Sequence, residues 1–181
     1  MSLIEISDVI LADSSFFLCF LDDIEQPEVL KRILDKFGFL VTPIVYKEVS
    51  KSTHFKHVQN HPKIILVPKE NLGEALRPFF SKKEIEKGET EVIELAYQFY
   101  SNNDPKFFII DDDGPRLFVI RTLSYLEKLM IGTVGFVGAC YYECGILEKS
   151  EASTIVIIIS KSKFRVSAEV IREVLSKIES R

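Results

Sequence analysis

The chain has little cysteine, no long apolar run and no excess of positive charge. Its three cysteines, Cys19, Cys140 and Cys144, show no CxxC or Cys/His spacing. That excludes a disulfide framework and a zinc module, and makes a reducing cytoplasm the expected compartment. Cys19 and Cys140 have mostly apolar or aromatic neighbours and are expected to behave as small buried hydrophobes. The longest strongly apolar run, Ile155 to Ile159 with its flanks, is far too short to span a bilayer. No basic segment followed by an apolar one opens the chain, so secretion is not expected. The net charge of −4 does not advertise nucleic-acid binding, although a local basic groove is compatible with an acidic average. There is no internal repeat, low-complexity tract or clear linker.

What is present is an ordinary globular composition: 181 residues, 46% hydrophobic, enough for one domain with a terminal extension. Val9 to Ala12 reads as a buried parallel strand ending in Asp13, with Ser14-Ser15 capping a short helix over Phe16 to Leu21. Pro27 opens a helix that closes at Gly38, with Val29, Ile33 and Phe37 on one face. Phe39 to Val41 is a second strand, followed by a helix with Thr42 as N-cap and Pro43 at its first position. Ile64 to Val67 reads as a third strand, and Leu72 to Lys87 as short helical pieces rich in lysine. A strong helix then runs to about Tyr100 from Gly88 or Thr90, with Ile93, Ala96 and Tyr97 facing inward. Asn102 to Pro105 is a turn, Phe107 to Ile110 a strand, Arg116 to Leu123 a helix, and Leu129 to Ile131 a fifth strand. Gly132-Thr133 begins a helix to about Cys144. EASTIVIIIS is helix or strand by its own pattern. A last helix starts at the N-cap Ser167, with Val170 opening its apolar stripe. The alternation predicts a three-layer α/β/α fold, with a mostly parallel sheet of about five strands and C-terminal helices.

In such sheets ligands gather at the carboxyl ends of the strands. Asp13 and Asp111-Asp112 fall there, while Glu48 and Glu91 lie in helices that follow strands. Each acid has a bland explanation taken singly. Asp13 before Ser-Ser is a capping residue, Glu48 a solvated helix residue, and the Asp run before Gly-Pro a turn. Glu89 and Glu91 suit a first helical turn because of its dipole. Taken together, converging carboxylates repel one another unless a cation neutralises them, and oxygen-only ligands suit Mg²⁺ or Mn²⁺. His54, His57 and His61 lie in a polar stretch and read as solvated loop residues.

The order of these segments resembles the PIN-domain nucleases. Asp13-Ser14-Ser15-Phe16-Phe17-Leu18 is similar to the family's opening signature, and Thr42-Pro43 through Glu48 to its second. Gly88-Glu89-Thr90-Glu91-Val92-Ile93-Glu94-Leu95-Ala96 resembles the GExExIxLA stretch of a prokaryotic branch related to VapC-type toxins. Asp111 to Arg116 resembles that branch's DDxxAR element, with Pro115 for Ala and Ile110 where many relatives have Thr. Ile131 to Gly135 resembles its GTxG segment.

The resemblance implies a PIN-like domain over residues 1–147 and a helical extension over 148–181. It implies a divalent-metal-dependent ribonuclease acting on single-stranded RNA, with Mg²⁺ or Mn²⁺ as cofactor. Asp13, Glu48, Glu91 and Asp112 are the implied catalytic acids. Asp13, Glu91, Asp111 and Asp112 are the implied metal ligands, the choice between Asp111 and Asp112 as direct ligand staying open. Ser15 and Arg116 would support them. Lys82, Lys83 and Lys87, with Lys47, Lys51 and Arg77, are substrate-contact candidates. The branch further implies a toxin with a small antitoxin protein and a homodimer. Two other readings are a PIN-like domain that binds RNA without cutting it, and an acidic-pocket signalling domain. The second fits poorly, because Lys128 precedes its strand and Thr133 follows it.

Overall fold

The computed structural model describes residues 9–68, 72, 76–79, 87–102 and 105–181. In chain order the elements are β1 (Val9–Ala12), α1 (Ser14–Leu18), α2 (Pro27–Lys36), β2 (Gly38–Val41), α3 (Pro43–Val49) and β3 (Ile64–Leu66). There follow α4 (Gly88–Asn102), β4 (Phe107–Ile109), α5 (Asp113–Thr122), β5 (Met130–Ile131), α6 (Thr133–Tyr142), α7 (Lys149–Lys161) and α8 (Ala168–Ser180). The five strands form one parallel sheet in the order β3-β2-β1-β4-β5, within a three-layer α/β/α architecture. β1 is buried along its whole length, as a central strand covered on both faces must be.

That strand order sets the site. From β1 the chain winds outward through β2 to β3, then returns through α4 and starts again on the other side of β1 with β4. The reversal leaves a crevice at the carboxyl ends of β1 and β4, the place where open α/β sheets bind ligands. Asp13 follows β1, and the Asp111–Asp113 run follows β4. The Asp13 N–H donates to the Ile109 carbonyl at 3.1 Å, so the ladder continues into the site.

An aromatic cluster fills one side of the sheet. Phe16 stacks on Phe39 with centroids 5.3 Å apart and meets Phe136 edge-on at 5.6 Å. This anchors α1, and with it the residue that begins α1. α6 is buried over most of its surface, because α7 and α8 pack on it as well as on each other. EASTIVIIIS is helical: Ala152, Ile155, Val156 and Ile159 are buried at helical spacing against that layer. Among the described residues no helix is long and apolar enough to cross a membrane.

Several local expectations change. The N-cap of α1 is Asp13, whose Oδ1 accepts the Phe16 N–H at 3.2 Å, and not the Ser14-Ser15 pair. After α1 the chain widens into a π turn, Cys19–Asp23. Thr42 stands at the N-cap position of α3, yet its buried hydroxyl makes no hydrogen bond. Ser167 does cap α8, but Val170, three residues on, is exposed, and the buried stripe is Ile171, Val174 and Ile178. α4 is buried all round from Glu91 to Ala96, with Tyr97 only half-buried. Most of the Leu72 to Lys87 stretch, and Asn103-Asp104 of the expected turn, lie outside the described residues. Burial pushes the Cys19 and Cys140 thiols up, consistent with inert hydrophobes.

Candidate active site

Asp13 is 1% exposed, a carboxylate in a place where a charge is costly without partners. Its Oδ1 takes the Phe16 N–H, and its Oδ2 takes the Asp111 N–H at 3.4 Å. Burial nevertheless holds its pKa well above the usual carboxylate range, with the neighbouring Asp111 charge adding to the rise and Glu89 contributing a little. The two N–H bonds pull the other way and do not win.

Asp111 is the second fixed acid. Thr133, the first residue of α6, donates its N–H to Oδ1 at 2.8 Å and its hydroxyl to Oδ2 at 2.6 Å. Arg116 donates Nη1 to the Ile110 carbonyl at 2.9 Å and lowers the Asp111 pKa by its charge. Burial still raises that pKa overall, and Asp112 adds to it. Gly132 leaves this carboxylate room, since a Cβ there would press on Asp111 Oδ1 at 3.1 Å.

A second pair stands beside the first. Glu89, in the first turn of α4, shares a side-chain hydrogen bond with Asp112. Burial raises the Glu89 pKa, helped by that hydrogen bond and by the charges of Asp112 and Glu48. Glu48 reaches this region from α3. Gly88 lets α4 approach it: a Cβ on Gly88 would lie 3.0 Å from Val45 Cγ2 and 3.2 Å from Glu48 Oε2.

Glu91 has a different partner. Its Oε2 accepts the Ile44 N–H at 2.9 Å, at the start of α3. It satisfies the amide that the Thr42 hydroxyl leaves alone, and so acts as a cap supplied from a different helix. The structure therefore brings Asp13, Asp111, Asp112 and Glu89 together, with Glu48 next to Glu89, while one Glu91 oxygen holds the α3 terminus. Glu89 and Thr133 are the members that sequence reading passed over. Gly-Thr at a helix start directly after an edge strand was the available signal for Thr133.

Of the supporting residues, Arg116 lies against Asp111, whereas Ser15 is half-buried on the first turn of α1. Lys47, Lys51 and Lys87 are exposed; Lys82, Lys83 and the side chain of Arg77 lie outside the described residues. The histidines do not share a ligand: His54 Nδ1 bonds the Leu21 carbonyl, and His61 pairs with Asp35 at 3.2 Å. Among the described residues no three His, Cys, Asp or Glu side chains close on one point as a ready metal cage. The donor chemistry nevertheless fits a hard divalent cation: every donor is a carboxylate oxygen, and each pair carries a repulsion that such an ion would relieve.

A family model described as a PIN domain matches residues 9–180, so the match runs through the C-terminal helices as well. No curated protein and no solved structure matches the chain.

Proposed function

The chain belongs to the PIN-domain family, and from that premise we propose that it is a divalent-metal-dependent endoribonuclease that cuts single-stranded RNA. PIN domains are generally nucleases that use divalent metals such as Mg²⁺ or Mn²⁺. The observation that supports the reading most directly is the meeting of Asp13 and Asp111 at the strand switch point, both with raised pKa values.

The residues that would hold the ion are Asp13 and Asp111, with Asp112 and Glu89 across from them. A bound Mg²⁺ or Mn²⁺ would lower the pKa of an attacking water and offset charge on the leaving oxygen. The chain's own groups do the rest. Thr133 fixes both oxygens of Asp111, so that carboxylate cannot swing when substrate arrives. The Phe16 and Asp111 amides fix Asp13 in the same way. Glu89, whose pKa burial raises, sits beside Asp112 at the half-exposed side of the site, where a carboxyl can give or take a proton during hydrolysis. Glu91 supports the site by holding the start of α3, the helix that carries Glu48.

The same reading extends, through the resemblance of its motifs, to a cytoplasmic toxin that forms a homodimer and is restrained by a small antitoxin protein. The central test is cleavage of labelled single-stranded RNA with Mn²⁺ or Mg²⁺. Wild-type chain should cut, a chelator should stop it, and Asp13→Ala should lose at least about 100-fold in rate, more than the 10–100-fold typical of residues that only support a metal ligand. Undiminished cutting by Asp13→Ala would remove the assignment.

A further inference from the structure

Next to the acids lies a groove of about 830 Å³ that the chemistry above leaves unused. One side is formed by Asp111–Asp113, Arg116 and β5; the other by Phe164 to Ser167, the linker between α7 and α8, together with part of α8. The linker is pinned at both ends. Ser162 Oγ donates to the Ile159 carbonyl at 2.9 Å and accepts the Phe164 N–H at 3.1 Å, and Ser167 Oγ accepts the Val170 N–H at 3.3 Å. It thus presents a half-buried aromatic ring and an exposed guanidinium in sequence, already ordered. Arg116 is committed to the Ile110 carbonyl and Asp111. Among the described residues no ion pair engages Arg165.

Resting on the nuclease reading, we propose that this groove holds the unpaired RNA flanking the cut phosphate. Phe164 stacks on a base and Arg165 contacts a backbone phosphate. An aromatic platform beside a cation is the recurring equipment for single strands. The volume falls within the roughly 300–1,000 Å³ of single-ligand sites, a size for a short unpaired stretch and not for a duplex. An added peptide strand is the poorer occupant: β5, the sheet edge that faces the groove, is only two residues long and offers little ladder to extend. Asp113 and Glu173 also line the groove, so affinity leans on Arg165 as the cation opposite the acid run.

The test uses the full chain, a short labelled single-stranded RNA and Mn²⁺. Phe164→Leu keeps an apolar side chain against the core while removing the ring, and should raise KM by about 10-fold with kcat little changed. Arg165→Gln, on an exposed residue, should raise KM several-fold. It should also lower the slope of log affinity against log salt by about 0.7, the value for one lost phosphate contact on a single strand. Arg172→Gln, exposed on α8 outside the groove, should change neither. If wild type cuts RNA and both groove variants keep its KM and salt slope, the groove serves something else, such as a protein partner, and the proposal falls alone. If wild type neither binds nor cuts RNA, the nuclease reading falls and takes the groove assignment with it.

Discussion

The acids at strand ends and the acids on helices are held in different ways. Asp13 and Asp111 each have both oxygens engaged by protein donors, from backbone amides and from Thr133. Glu89 and Glu48 lie on α4 and α3, and their positions follow from how closely two helices approach at Gly88. The strand-end pair is fixed by donors at the first turns of α1 and α6 and by the Asp111 amide itself. The helix pair is set by packing, and Glu89 faces Asp112 as well as the Glu48 charge.

The most severe way to break that contrast is within α4 itself. Glu89→Ala should lower kcat for RNA cleavage by about 100-fold or more, within the range for losing a proton-transfer group. Glu91→Ala should instead cost about 0.5–2 kcal/mol of stability in urea titration, as a lost helix cap does, with a much smaller change in kcat. Equal kcat losses in the two variants would mean that the site turns Glu91 inward after all. A smaller effect is expected at Thr133. Removing its hydroxyl with Thr133→Ala should weaken Mn²⁺ binding by roughly 10-fold, and Thr133→Ser should restore it, as calorimetric titration would read. Failure of serine to rescue would count against the hydroxyl as the fixing group.

The smallest effect concerns pH in the metal-free protein. Asp13, Asp111 and Glu89 all have pKa values raised by folding, so their protonated forms favour the native state. That contribution is complete below the unfolded carboxyl values, near pH 4, and is lost as pH rises through the folded values. Asp13→Asn removes one such group. Its urea midpoint should therefore fall less steeply than that of wild type as pH rises from about 4. Parallel curves would contradict the buried-acid assignment.

The sheet was legible because its strands are short apolar runs closed by turn residues or capped helices, and Asp13 and Asp111 were legible because they end two of those runs. The choice between Glu89 and Glu91 was not. Two residues on a helix are separated by about 200° of rotation, and the sequence gives no clue to which face meets the sheet when the helix is buried all round from Glu91 to Ala96. Thr42 misled for a related reason. It has the residue type of a cap, but a carboxylate 47 positions away reaches the amide of Ile44 first. The EASTIVIIIS segment carries a helical spacing of buried residues that its β-branched composition obscured; packing against α6 decides for helix.

The bond between the Asp111 amide and Asp13 spans 98 positions of chain. A polypeptide still emerging from the ribosome has made the first acid long before it has made the second. Until β4 slots in beside β1, nothing in the nascent product can assemble this centre, so the two acids meet only after the whole stretch between them has been made.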